Sequence, residues 1–128
     1  MNRKEILKTV NLSRFTAFDF ETTGLDPMAD RIIEIAAIRF EDGEITDRFV
    51  TLVNPGQPIS PMITRITGIS DEMVRDKPQE EEIIDELLAF LGEDPLVAHN
   101  IRFDQSFLRS LCERCNRDEV TNPLYDTL

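Results

Sequence analysis

The hydrophobic period of the chain changes once, at residues 54–56, and this change most constrains the fold. Before Asn54-Pro55-Gly56, apolar residues alternate with a period of about two, which is typical of β-strands. After it, they recur about every 3.6 positions, as on one face of a helix. Three antiparallel strands followed by helix, strand, helix and strand predict an α/β domain with a mixed sheet.

The predicted strands of the first half span residues 14–21, 31–40 and 45–53. Asp42-Gly43 joins the second strand to the third, and such a pair favours a two-residue hairpin turn that requires positive φ. The three strands are therefore predicted to form an antiparallel meander. The first strand has large apolar residues on both faces, so we expect it to be central and covered on both sides.

The second half predicts short helices over residues 62–67 and 71–74 and a longer helix that begins at Pro78. Residues 96–98 are short and wholly apolar, as expected of a buried parallel strand. An amphipathic helix over residues 103–115 follows. A last strand is expected within residues 122–128.

Composition limits the classes of function. The chain has 128 residues, which suit one domain over residues 13–128 after a lead-in over residues 1–12. Its 14 basic and 25 acidic residues give a net charge of −11, which excludes a non-specific nucleic-acid coat. Two cysteines, one histidine and no long apolar segment favour a cytoplasmic protein with no membrane contact and no structural zinc site.

Asp19 and Glu21 are two positions apart near the end of the first predicted strand and therefore point to the same face. Two half-buried carboxylates repel each other and require a cation. Oxygen ligands with no His or Cys beside them favour Mg²⁺ or Mn²⁺ over zinc. A solvated strand edge is the ordinary alternative; the apolar flanks and the Thr22-Thr23-Gly24 turn argue against it.

Asp104 lies in the first turn of the last predicted helix, where the helix dipole alone favours an acidic residue. However, the first and fourth strands are predicted to be parallel neighbours, and functional groups collect beyond the carboxyl ends of such strands. Asp104 is therefore expected to approach Asp19 and Glu21. Three converging carboxylates would be difficult to explain without bound metal.

Two segments, Phe18–Leu25 and His99–Asp104, resemble the first and second exonuclease motifs of the DEDDh 3′–5′ exonucleases. The resemblance covers about residues 13–128 and is to the epsilon subunit of bacterial DNA polymerase III and to PolC-type exonuclease domains in particular. It implies a ribonuclease H-like mixed sheet flanked by helices. It also implies stepwise hydrolysis of DNA from the 3′ end, as in proofreading or repair.

The resemblance implies that Asp19, Glu21 and Asp104 are the catalytic residues and hold two Mg²⁺ or Mn²⁺ ions. It also implies seven residues that bind nucleic acid: Thr23, Gly24, Leu25, Ile66, Thr67, Asn100 and Phe103. For Ile66 and Phe103 a place in the core is equally expected, and for Thr67 and Asn100 a capping role.

The third motif of the family, a His followed by a fourth Asp, has no match here, because His99 belongs to the second motif. We therefore expect the domain to be truncated at its C-terminal end and, without a general base, to be weakly active or inactive. The alternatives are a catalytically silent binding or scaffold module of a polymerase assembly and an RNA 3′-trimming relative. The expected partners are the single-stranded 3′ end of DNA, RNA in the second alternative, and DNA polymerase subunits.

Overall fold

The computed structural model describes residues 13–127, which form one mixed sheet and four helices. The strands are β1 (Arg14–Thr22), β2 (Ile32–Glu41), β3 (Glu44–Leu52), β4 (Leu96–Ala98) and β5 (Leu124–Asp126). The helices are α1 (Pro61–Thr67), α2 (Asp71–Val74), α3 (Glu80–Leu91) and α4 (Ile101–Arg114). The predicted lead-in, residues 1–12, lies outside the described residues.

The strand order in the sheet is β3-β2-β1-β4-β5, so β1 is central as predicted. β1, β2 and β3 pair antiparallel, and β1 pairs parallel with β4 and β4 with β5. Asp42 and Gly43 have φ values of 51° and 84°, which confirms the hairpin turn between β2 and β3. The predicted mixed sheet, an antiparallel meander extended by parallel strands, is confirmed.

Helices α3 and α4 cover one face of the sheet and form the main core with it. The buried side chains that meet there include Phe18 and Phe20 of β1, Ile84 and Leu87 of α3, and Phe107 and Leu111 of α4. Each such side chain contributes about 1.5–3 kcal/mol when it is fully buried. The apolar period of the second half therefore produces the layer that holds β1 and β4 in place.

On the opposite face of β1, the apolar cluster formed by residues 13–127 consists of strand residues. The cluster contains Phe15, Phe40 and Val97, with half-buried Ala17 and Ile38 at its margin. The rings of Phe15 and Phe40 stack with centroids 5.0 Å apart. Phe15, Phe40 and Val97 are only 3%, 7% and 5% exposed, so this face of β1 is shielded from solvent near the start of the strand, as is the face that packs against α3 and α4.

Two predicted helix starts differ from the observed ones by two residues. α3 begins at Glu80 and not at Pro78, because Gln79 takes the N-cap position and forms a capping box with Glu82. α4 begins at Ile101, two residues before the predicted start, because the backbone turns directly out of β4 at Asn100, which has φ 59° and ψ 60°. Among the helices of residues 13–127, none combines the length and the apolar composition that crossing a bilayer requires.

Candidate active site

Three carboxylates predicted from the sequence lie at the carboxyl end of β1. Asp19 and Glu21 are on the same face of the strand, the first exposed and the second half-buried. Asp104 is in the first turn of α4 and only 2% exposed. Its Oδ1 accepts a hydrogen bond from the backbone N–H of Phe20, with an N–O distance of 3.1 Å. This bond joins Asp104 to the strand segment between the other two carboxylates.

The surroundings of these carboxylates disfavour their charged forms. Burial raises the pKa of Asp104 to about 7 despite the hydrogen bond from Phe20, and the charges of Asp19 and Glu21 raise it as well. Desolvation also raises the pKa of Asp19. It raises the pKa of Glu21, to which repulsion from Asp19 and Glu34 adds. The site is therefore a region of concentrated negative charge that a cation would stabilise.

Within residues 13–127, no ion pair joins these three carboxylates to a lysine or an arginine, whereas other acidic residues have such partners. The donor set of carboxylate oxygens fits a hard divalent cation. In the same part of the chain, however, no three His, Cys, Asp or Glu side chains lie close enough together to hold a metal ion. The charges of the three carboxylates act on one another, but the side chains are not arranged as a ready set of metal ligands.

Glu34 is a fourth acidic residue at this end of the sheet. It lies directly opposite Glu21 in the antiparallel pairing of β1 and β2. Like charges in that position are destabilising, which is the physical origin of their repulsion. The sequence marks Glu34 as an acidic residue in an apolar strand, but a long loop separates β1 from β2, so its register with Glu21 could not be derived from a turn.

A groove of about 610 Å³ opens beside Glu21, between the loop that follows β1 and helix α1. Six of the predicted nucleic-acid-binding residues line it: Thr23, Gly24, Leu25, Ile66, Thr67 and Phe103. Three large apolar side chains are exposed along it, Leu25 by 85%, Ile66 by 71% and Met62 by 61%. Such a surface next to carboxylates suits a ligand that combines flat apolar rings with phosphate.

The hydroxyl groups of two threonines in the groove form hydrogen bonds within the protein. The Thr23 hydroxyl is 2.7 Å from Gln57 Oε1 and accepts from the N–H of Arg31. The Thr67 hydroxyl donates to the carbonyl of Ile63 at 2.8 Å and accepts from the N–H of Ile69. The caps at this point of the chain are Gly68 for α1 and Ser70 for α2. Both threonines therefore shape the walls of the groove.

Gly24 is required by close packing in the loop. A Cβ atom at this position would lie 2.3 Å from Asp30 Oδ2, well inside van der Waals contact. The same carboxylate accepts from the N–H of Asp26 at 2.9 Å. Any larger residue at position 24 would displace Asp30 and with it the bonds that close the loop.

Asn100 does not line the groove. It takes the N-cap position of α4, but its side chain makes no capping hydrogen bond. Instead, the N–H groups of Asn100 and Ile101 donate to the carboxylate of Asp126, at 3.1 and 3.4 Å. Sequence reasoning missed this role of Asp126, and no local pattern could have revealed it, since the bond spans 26 residues.

A second, smaller recess lies beside Asp19 on the face of the sheet opposite α3 and α4. It measures about 280 Å³ and is lined by apolar residues that include Ala17, Ile38 and Val97, together with His99. Asp19 therefore stands between this recess and the region of Glu21. The apolar face of the sheet continues up to the carboxylates.

A family model supports the chemistry that the carboxylates suggest. The RNase_T model, described as "Exonuclease", matches residues 16–128. The chain is 42% identical over 116 residues to a DNA polymerase III PolC-type protein of Halalkalibacterium halodurans, covering 91% of this chain and 8% of that protein. It is 46% identical over 114 residues to its counterpart in Caldanaerobacter subterraneus, covering 89% of this chain and 8% of that protein.

Solved structures give the same result for the fold. The zinc ion-bound E. coli exonuclease I–single-stranded DNA complex matches with a TM-score of 0.80 and 25% sequence identity. That match covers 90% of this chain and 28% of the other. The mixed sheet and its helices are therefore those of the exonuclease I fold, and the chain spans about 8% of the length of the PolC-type relatives that it matches.

Proposed function

The chain belongs to the RNase_T exonuclease family, and we propose that it binds the single-stranded 3′ end of DNA and hydrolyses it stepwise in the 3′–5′ direction. The observation that carries this proposal is the hydrogen bond from Phe20 to Asp104. It joins the carboxylate of the second motif to the strand segment of the first, next to a groove with exposed apolar walls. Phosphate chemistry and base binding would thus occur side by side.

We propose that Asp19, Glu21 and Asp104 hold two divalent ions, Mg²⁺ or Mn²⁺. The proposal is supported by the all-oxygen donor set and by the raised pKa values of the three carboxyl groups. Bound divalent ions supply the charge stabilisation and the activation of water that phosphodiester hydrolysis needs. The three side chains would supply the negative charge that retains the ions at the end of β1.

The terminal nucleotide is proposed to lie in the groove, with its base against Leu25 and Ile66 and close to Phe103. This is supported by the exposure of Leu25 and Ile66, since apolar side chains that water surrounds gain free energy when a base covers them. Thr23, Gly24 and Thr67 would contact the nucleotide as part of the walls. Asn100 is kept in the proposed interface because its side chain is exposed and makes no capping bond.

The PolC-type relatives support a polymerase context, so DNA polymerase subunits are the proposed protein partners. The net charge of −11 supports recognition that is restricted to the 3′ end, because the remaining surface would repel a phosphate backbone. The two free cysteines agree with a reducing compartment, and we propose a cytoplasmic location.

One observation favours a second candidate, a catalytically silent binding module of a polymerase assembly. No three candidate ligands within residues 13–127 are close enough together to hold a metal ion. RNA trimming has less support, because the threonine hydroxyls of the groove are already hydrogen-bonded and offer little to a 2′-hydroxyl.

The test uses the 128-residue chain with a 5′-fluorescein-labelled single strand of DNA in Mn²⁺, with Asp19→Ala as the inactive control. We expect a slow ladder of products shortened from the 3′ end, absent in EDTA and absent for Asp19→Ala. A ladder that persists with Asp19→Ala would contradict the assignment of the site. Binding of the strand with no ladder would favour the silent module.

A further inference from the structure

The wall of the groove opposite α1 is a loop, residues 23–31, here called the groove loop. Its own residues close it: the N–H of Thr23 donates to the carbonyl of Arg31 at 2.9 Å, and the N–H of Asp30 donates to that of Asp26 at 2.7 Å. Leu25 projects from its tip into solvent. The position of Leu25 relative to α1 therefore depends on what holds the loop as a unit.

An arginine from the helical layer reaches the back of this loop. Arg114, at the end of α4, donates from Nη1 to the carbonyl of Pro27 at 3.3 Å. Its Nε and Nη2 donate to the two oxygens of Glu80, the first residue of α3, at 2.8 and 3.0 Å. The two side chains are 21% and 15% exposed, so solvent screens this pair little.

The planar guanidinium is needed for this arrangement. Two of its N–H groups engage a carboxylate in the bidentate manner, and a third reaches a carbonyl on the other side. A lysine ammonium has the charge but lacks the fixed fork. Glu80 thus orients Arg114, and Arg114 joins the groove loop to both α3 and α4.

A second ion pair, between α3 and the segment that follows α4, provides a contrast. Arg117 donates to both oxygens of Asp85 at 2.8 and 3.0 Å, and these side chains are 39% and 73% exposed. The remaining nitrogen of Arg117 donates to the carbonyl of Cys115, the C-cap residue of α4. Both arginines form an ion pair with α3, but of these two only Arg114 has a hydrogen bond to the groove loop within residues 13–127. Gln57, in the segment before α1, also bonds this loop, at Thr23 and Ala29.

We propose that Arg114, oriented by Glu80, is a positioning residue for the terminal nucleotide: it fixes the groove loop from behind so that Leu25 faces α1 across the groove. The inference rests on the proposed function for its substrate. It adds to that function a residue on the far side of the loop that touches neither the nucleotide nor the carboxylates. Loss of Arg114 weakens substrate binding by letting the loop move.

The first measurement is amide hydrogen exchange of the groove loop in Arg114→Met and in the matched control Arg117→Met. Losing a charged hydrogen bond to Pro27 should speed exchange at Thr23, Asp26 and Asp30 by about fivefold in Arg114→Met. Arg117→Met should leave these amides within about twofold of the wild type. Equal exchange in the two variants would overturn the proposal.

The second measurement is the Kd for a 5′-fluorescein-labelled dT12 in Ca²⁺, read by anisotropy. We expect about fivefold weaker binding for Arg114→Met and no change for Arg117→Met. If amide exchange in the groove loop becomes faster in Arg114→Met while the Kd for dT12 stays unchanged, the positioning role is overturned. If even the wild type fails to bind dT12, the proposed function fails, and the exchange comparison still decides whether Arg114 orders the loop.

If Arg114→Met does not fold, Arg114→Lys replaces it in both measurements. It keeps a positive charge beside Glu80 but cannot bridge to Pro27 as well. It should therefore restore the folded state and retain the faster loop exchange. Wild-type exchange in Arg114→Lys would show that charge alone, and not the fork of Arg114, holds the loop, which would contradict the proposal.

Discussion

Acidic side chains at the two ends of β1 have pKa values that are shifted in opposite directions. Near its start, burial would raise the pKa of Asp94, but hydrogen bonds and charge from Arg14, with Thr16 and Arg39, lower it. Arg14 Nε donates to Asp94 at 2.8 Å and Arg39 Nε at 3.3 Å. At the other end, the carboxylates of the candidate active site have raised pKa values and no lysine or arginine partner within residues 13–127.

The difference separates two uses of the same functional group. A half-buried carboxylate with arginine partners stabilises the fold and offers nothing to a ligand. Carboxylates without partners destabilise the fold and attract a cation from solution. The comparison therefore predicts that mutations at the two ends of β1 change stability with opposite signs.

The largest effect is expected on activity. Asp19→Ala should lower Mn²⁺-dependent trimming of a 5′-labelled single strand by at least about 100-fold, because it removes a proposed metal ligand. Asp85→Asn, which alters an exposed carboxylate on α3, is the matched control and should keep wild-type rates. A similar loss in both variants would mean that acidic residues act here through the overall charge and not through the site.

The next largest effect is a loss of stability at the start of β1. Asp94→Asn should lower the free energy of unfolding by about 2 kcal/mol, because Arg14 and Arg39 lose a charged acceptor. Urea denaturation at pH 7 measures this change. An unchanged free energy of unfolding would show that water replaces Asp94 as the hydrogen-bond partner of the two arginines. The contrast between the two ends of β1 would then disappear.

A smaller effect of opposite sign is expected at Asp104. Asp104→Asn should raise the free energy of unfolding at pH 8 by about 1–2 kcal/mol, because the amide retains an oxygen for Phe20 and removes a buried charge. The gain should vanish at pH 4, where the wild-type carboxyl is protonated. The pKa of Asp104 in the folded protein is raised to about 7. In the wild type, the protonated carboxyl therefore contributes stability below about pH 4, and this contribution is lost as the pH rises through 7.

Asp94 has a lowered pKa and should show the reverse pH dependence. Its contribution is present above its unfolded pKa of about 3.9 and is lost as pH falls through the lower folded value. Denaturation of the wild type and Asp94→Asn at pH 7 and pH 2.5 should therefore give curves that converge in acid. A constant difference between the two proteins would contradict the ion-pair account.

The smallest effect is the response of stability to metal. Mn²⁺ at about ten times its Kd should stabilise the wild type by about 1.4 kcal/mol, seen as a rise in Tm of a few degrees. Asp19→Ala should show no rise, and Asp94→Asn should respond like the wild type. A rise that is equal in all three proteins would indicate binding away from the carboxylates.

Features that depend on local pattern were accessible from the sequence. The Asp42-Gly43 turn, the shared face of Asp19 and Glu21, and the first-turn position of Asp104 follow from spacing alone, and all three are found in the structure. The exact start of α3 was missed because a capping box at Gln79 competed with the proline signal.

Features that depend on pairing across the fold were not accessible. The alignment of Glu34 with Glu21 requires a register that no turn dictates, and the capping of α4 by Asp126 requires β5 to lie beside β4. The face of β1 that packs against α3 and α4 carries the same apolar pattern as the opposite face, so periodicity could not tell which of them the two helices cover.

The sequence by itself determined which side chains could do chemistry, because carboxylate spacing and helix position are properties of a few neighbouring residues. Only the tertiary structure decided which of those charges are neutralised. Arg14 and Arg39 meet Asp94 across 80 and 55 residues of chain, and Asp104 meets Phe20 across 84. Whether a carboxylate is held by arginine or left to bind a cation depends on which distant strands and helices become its neighbours, and folding alone brings them together.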